Sequence, residues 1–303
     1  MTSAHSASAN SDVSGFVHSG ATIDEELASH IRRTTREQNM ERVRVLAWQI
    51  LILMAVLTVW ETLTRIPWFV KNTIFDPFFI SRPSLIAANL YSWTFGAKSG
   101  YLWPHLASTV VATLIGLAFA VSSGFFVGLV LSQRRTLAAV LTPYIVAANS
   151  LPRIAFVPLI TMIFGLGLSS KVVTAWFIVF FLVFFNTFKG GVAIERHIIE
   201  FCRTLGASDR QITRTVRIPN ALAWAFASLP NAVAFSLIGV VISEFVGSDT
   251  GMGYIIISSL STLNAADMWS AIIVLSITGI FLVVIFGAIE RRLLRWSPEF
   301  REG

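Results

Sequence analysis

The sequence predicts an all-α polytopic membrane protein that crosses the bilayer about six times. Three observations point there. The 303 residues are 54% apolar and only 13% charged, with a mean hydropathy of +0.70, whereas soluble domains run at about 25% charged. Seven stretches carry no Asp, Glu, Lys or Arg: 45–60, 106–133, 136–152, 154–170, 172–188, 218–243 and 268–289. Segments within them are apolar on every side. Phe177 to Phe185, for example, lacks the apolar–polar alternation that a membrane barrel strand requires.

A helix needs about 20 mostly apolar residues to cross the hydrocarbon core, and a charge at its centre costs roughly 2.5–3.5 kcal/mol. The run at 45–60, extended past Glu61 to about Thr64, supplies the first span, and 106–133 the second. The middle runs are interrupted by Pro143, Pro152 and Pro158, so 138–166 reads as one kinked, partly broken span. Residues 170–188, 218–243 and 268–289 complete the set.

An even number of spans puts both termini on one side, and the basic residues place that side in the cytoplasm. Five Arg precede residue 45, Arg134 and Arg135 follow the second span, six Lys and Arg lie between Lys189 and Arg217, and four Arg follow residue 290. Only Arg65, Lys71, Arg82, Lys98, Arg153 and Lys171 remain for outer or membrane positions. The formal charge of +6 is therefore a topology signal that requires no nucleic-acid partner.

Residues 1–43 form an N-terminal tail. Its first 20 residues are rich in Ser and Ala, too polar to fold alone, and lack the basic and apolar regions of a signal peptide. Residues 24–44 mix acidic and basic side chains and suit either a helix on the inner membrane surface or a solvated tail. The membrane domain then occupies 44–295, and 296–303 form a short C-terminal tail. Cys202, the single cysteine, excludes a disulfide framework.

Enzyme chemistry finds little support. No phosphate-binding loop, H-E-x-x-H or G-x-S-x-G occurs, and the five His residues are scattered, so neither a catalytic residue nor a metal site is expected. Nor do the spans read as carrying the paired buried charges that proton-coupled pumps use.

Two features within the spans concern packing and passage. Gly116, Ala120, Gly124 and Gly128 recur every fourth residue, a smooth face for either a neighbouring helix of the chain or a second subunit. Asn149, Ser150, Pro152 and Arg153 surround a helix break. An ionisable residue at such a break marks a pathway, unless Arg153 stretches to the headgroups. Glu244, near an end of the fifth span, reads either as a gate or as a headgroup-level carboxylate.

The connection between the fourth and fifth spans is the most informative segment. Ile194, Ile198, Ile199, Cys202 and Leu205 fall at helical spacing, and Gly206 stands where a left-handed C-cap is needed. Ser208 with Gln211 three residues on is a capping box, with Asp209 in the first turn of a second helix that also carries Arg210. Pro219 precedes the next span. A structured connection of this length, 190–219, points to function.

Glu200, Gly206 six residues later and Pro219 thirteen beyond match the spacing of the EAA loop. The chain thereby resembles the permease subunits of binding-protein-dependent ABC importers, with the usual pair of alanines replaced by Phe201 and Cys202. The resemblance extends from about Leu106 to Trp296. Leu151–Ala155 with Pro158-Leu159, Phe164–Gly167, Ser243-Glu244 with Gly251–Tyr254, and Glu290–Arg292 make it similar to the nitrate, sulfonate and taurine importer permeases.

This resemblance implies a type I importer permease fold in the bacterial cytoplasmic membrane, paired with a second permease copy as a homodimer. It implies two cytoplasmic ATPases that hold ATP and Mg, leaving this chain without a cofactor, and a periplasmic or lipid-anchored binding protein that delivers a small anion. Glu200, Gly206, Ala207, Ser208, Asp209, Arg210 and Pro219 would couple to the ATPase. Similar permeases also handle thiamine precursors. An ion-driven secondary transporter and a non-transporting scaffold are the rival classes.

Overall fold

The structure, a computed structural model, describes residues 40–41, 43–68, 76–133 and 135–295. Most of the N-terminal tail, including the surface helix expected over 24–44, and the tail at 296–303 lie outside the described residues.

Helix α1, Val43–Leu63, is long and apolar enough to cross a membrane and belongs to a unit that ends at Ile66. Its last turn is closed by Thr64, whose hydroxyl donates to the Trp60 carbonyl, and by an Arg65–Glu61 ion pair at 2.7 Å.

The second unit begins at Pro67. It contains α2 (Pro77–Ile80), α3 (Pro83–Thr94), α4 (Leu102–Ser132), α5 (Arg135–Ser150), a 3₁₀ turn (Arg153–Phe156), α6 (Val157–Phe164) and α7 (Leu168–Val192). There follow α8 (Arg196–Thr204), α9 (Asp209–Ile212), a π turn (Thr213–Arg217), α10 (Ile218–Ala227), α11 (Leu229–Val246), α12 (Met252–Ser261) and α13 (Ala265–Leu293). With α1, the helices α4, α7, α11 and α13 are span-length. The pair α5–α6, bent by 76° where Leu151 and Pro152 interrupt it, makes a sixth crossing if counted as one.

The core lies where α4, α7, α11 and α13 meet, around Leu117, Ala120, Val179, Val183, Val233 and Leu282. The small-residue face of α4 is turned onto α7. A Cβ on Gly116 would stand 2.6 Å from the Ala175 Cβ, and one on Gly128 would stand 2.8 Å from the Phe184 carbonyl oxygen. Only glycine lets these two backbones approach so closely. A second core joins α3, α4, α12 and α13 through Trp93, Leu102, Met252, Ile255 and Ala271.

Three sequence expectations need correction. The run 218–243 is not one helix but two, α10 and α11, separated at Ser228. Pro230 cannot donate to the Phe226 carbonyl four residues back, and the Ser228 hydroxyl and amide turn back to Ala225 instead. Pro219 does not separate the connecting segment from the next helix: α9 passes through the π turn directly into α10. There the Ile218 amide reaches the Thr213 carbonyl, five residues back, just ahead of the proline that has no amide hydrogen to give. The third correction concerns charge: the spans do carry a buried ion pair, between Lys171 and Glu244.

Candidate functional site

Three places in the second unit gather polar chemistry. The first is the connection after α7. Helix α8 ends in a Schellman motif: the Gly206 amide donates to the Arg203 carbonyl at 2.9 Å and the Ala207 amide to the Cys202 carbonyl at 3.0 Å. Gly206 sits at φ +83°, the left-handed region that a side chain resists. Helix α9 then opens with the capping box. The Ser208 hydroxyl accepts from the Gln211 amide while the Gln211 side chain accepts from the Ser208 amide. Arg203 and Asp209 pair at 3.0 Å across the turn.

Between Arg196 and Ile212 only Ile212 is buried, so this segment keeps its shape through local bonds and one anchor. Its apolar face stays open: Phe201 is 63% and Leu205 71% exposed, beside an exposed Ile198. Glu200, Asp209 and Arg210 are exposed as well, and Pro219 lies in the first turn of α10. Behind the segment the Asn220 amide nitrogen donates to the Gly190 carbonyl at 2.7 Å, and a Cβ on Gly190 would strike the Trp224 ring, so α10 packs closely on the end of α7.

The second place is a cavity of about 480 Å³ lined by Val146, Asn149, Arg153, Ile178, Leu182, Phe185, Asn186, Lys189 and Phe235. Arg153 is held by the Ile178 carbonyl at 3.0 Å, by Asn149 Oδ1 and by the Phe181 ring, whose centre is 5.0 Å from its guanidinium carbon. It does not stretch away from the break but stays at the level of Ile178, the eleventh of the 25 residues of α7. Ser150 bonds back to the Val146 carbonyl, and Pro152 occupies the break; neither lines the cavity. Asn186, Lys189 and Phe235 do, and sequence reasoning passed over them because each looks ordinary within its own helix.

The third place lies at the opposite end of the spans from α8. Lys171, in the first turn of α7, and Glu244, in the last turn of α11, form an ion pair at 3.1 Å with side chains 1% and 0% exposed. Lys171 Nζ also donates to Ser108 Oγ at 2.9 Å and to the Thr250 carbonyl at 2.7 Å. The Glu244 carboxylate accepts from Thr109 Oγ1 at 2.8 Å and from the Gly253 amide at 2.8 Å, while Thr109 Oγ1 accepts from the Met252 amide. The Gly251 amide donates to His105 Nδ1 at 3.1 Å. Gly251 adopts φ +114°, and a Cβ there would fall on the Glu244 carboxylate.

Glu244 is therefore buried and paired, and it does not line the cavity. It clamps the turn at 247–251 and the start of α12 to α4 and α7. A buried pair survives when hydrogen bonds satisfy its remaining atoms, as they do here. The single readable cue was two glycines, Gly251 and Gly253, close after an acidic residue at a span end.

Comparison with known proteins fits this architecture. A chain of the methionine ABC transporter MetNI in an inward-facing conformation superposes with a TM-score of 0.53 at 20% identity, over 62% of this chain and 94% of that one, which establishes the type I importer permease fold. A riboflavin transport system permease protein of Chloroflexus aurantiacus is 31% identical over 223 residues, 74% of this chain and 82% of the relative. The taurine transport system permease protein of Escherichia coli is 27% identical over 251 residues, 82% and 88% of the two chains. A formylaminopyrimidine transport permease protein of Halalkalibacterium halodurans is 26% identical over 249 residues, 82% and 95%. The profile described as binding-protein-dependent transport system inner membrane component matches residues 120–296, more than half of the chain. This chain belongs to that family: it is a multi-pass inner-membrane permease subunit of an ABC importer.

Proposed function

We propose that the chain forms, with a second copy of itself, the passage for a small anionic solute of the nitrate, sulfonate or taurine class. Two cytoplasmic ATPases, which hold ATP and Mg, drive it, and a periplasmic or lipid-anchored binding protein delivers the solute. Both termini and the segment 190–219 face the cytoplasm, and the Lys171–Glu244 clamp faces outward. The domain limits follow: a cytoplasmic tail at 1–43, the membrane domain at 44–295 and a cytoplasmic tail at 296–303.

The observation that carries this reading is the open apolar face of Ile198, Phe201 and Leu205 on a segment fixed by two successive caps. A rigid apolar knob next to basic side chains is what a docking partner in the cytoplasm requires, and burial of such residues is what a partner supplies. Glu200, Gly206, Ala207, Ser208, Asp209 and Arg210 shape that knob, and Pro219 begins the helix that leads from it. Asn149 and Arg153 line the passage, with Arg153 as its mid-membrane cation, and Ser150 and Pro152 form the helix break beside it. Glu244 serves the passage from a distance by fixing the outer turn.

The test is purification of the tagged chain from native membranes in mild detergent. A P-loop ATPase co-purifies with the parent chain and is lost with Gly206→Val, which inserts normally but cannot hold φ +83° without strain. Recovery of the chain without an ATPase, or an unaffected complex in Gly206→Val, would overturn the coupling role.

A further inference from the structure

The groove beside Arg153 has a second cation at its other end. Ile178, Leu182, Phe185, Asn186 and Lys189 share one face of α7, at helical spacing, and all five line the cavity. Arg153 meets this face at Ile178, in mid-span. Lys189 stands eleven residues further on, about 16 Å along the axis, in the last turn of α7. Helical side chains lean toward the N-terminus of their helix, so Lys189 leans back toward the groove.

Among the described residues no carboxylate lies within 4.0 Å of Arg153 or Lys189, and Arg153 Nε is buried without a hydrogen-bond partner. Asn186 Nδ2 donates one hydrogen to the Leu182 carbonyl, and the rest of the wall between the cations is apolar, through Ile178, Leu182, Phe185 and Phe235. A cavity of about 480 Å³ falls within the range of roughly 300–1,000 Å³ found for pockets that bind organic ligands.

We propose that Lys189 is a second anion-binding position in this groove, and that the groove takes an organic anion with an apolar body. The anion is held first at Arg153 and then at Lys189. This rests on the reading of the Arg153 groove as the solute passage. Two positions of like charge, separated by an apolar wall, hold an anion without trapping it. The apolar part of the wall gives a bare inorganic anion no partner, whereas an alkyl or aryl body covers it.

The experiment uses the full chain in nanodiscs of zwitterionic phosphatidylcholine, with Cys202→Ser and a reporter thiol, Asn186→Cys or, on the facing wall, Val146→Cys. Two methanethiosulfonate reagents of similar size are compared, one bearing an ethylsulfonate and one a trimethylammonium group, each normalised to its rate with free cysteine. The groove is expected to favour the sulfonate reagent by roughly tenfold, as a cleft of one sign does. Arg153→Gln and Lys189→Gln each lower that preference about threefold, while Arg153→Lys and Lys189→Arg retain it.

A preference near one, thiols at both reporter positions that neither reagent reaches, or a preference untouched by Lys189→Gln would each overturn the proposal. In the last case Lys189 is a headgroup cation only. A flat preference in a chain that still co-purifies with its ATPase sinks this inference and leaves the importer reading standing. A strong preference without an ATPase does the reverse.

Discussion

Lys171 and Arg153 are both cations carried into the spans of one chain, and their surroundings are opposite. Lys171 is sealed against Glu244, with Ser108 and the Thr250 carbonyl taking its remaining hydrogens. Among the described residues, Arg153 has backbone carbonyls, an asparagine and a ring around it and no counter-charge, and it faces an open groove. A charge in a membrane protein is tolerated either because a counter-charge is built in or because the space beside it admits one. The first arrangement holds four helices in register. The second leaves a position for something that arrives.

The sharpest way to break this contrast is to remove one member of the sealed pair. Lys171→Met leaves Glu244 buried without its cation and is expected to cost about 3–5 kcal/mol, read as a large fall in the temperature at which the detergent-solubilised chain aggregates. Adding Glu244→Gln removes the stranded charge, and the double variant should regain most of that loss; a double variant as unstable as the single one would mean that packing, not charge, holds the clamp. Next in size is Gly251→Ala, whose backbone strain alone costs about 1–3 kcal/mol before the new Cβ displaces the Glu244 carboxylate.

Arg153→Gln should be milder for stability than Lys171→Met, about 1.5–3 kcal/mol for the lost charge-assisted bonds, because no carboxylate is left stranded. The same thermal assay decides: a loss as large as that of Lys171→Met would erase the distinction between the two cations. Smallest and most local is Ser208→Ala. Loss of the capping box costs about 1 kcal/mol, seen as faster hydrogen exchange confined to 205–212 with an unchanged aggregation temperature.

The spans were legible in the sequence because a membrane removes water, and only charge-free runs survive there. The caps at Gly206 and Ser208 were legible too, since each is a local bond between residues a few positions apart. What could not be read is what depends on long-range meeting. Lys171 finds Glu244 across 73 residues and Thr109 finds it across 135, and nothing in any one helix announces those partners. The same holds for the groove: Asn149 and Arg153 stood out beside a proline, whereas Lys189 looked like the basic residue that ends many helices. Helices α3 and α12 were missed because both are shorter than a span, and their apolar residues serve a core shared with α4 and α13.

The unbroken run from Asp209 through the π turn to Ala227 has a mechanical meaning. It is a rod about 28 Å long, one tip outside the spans and the other at the joint where Ser228 turns back on Ala225. Tilting such a rod by about 10° around that joint carries its free tip through about 5 Å. Leverage of this kind runs in either direction. A partner that grips the tip shifts the helices at the joint by less than it moves itself, but with proportionately greater force.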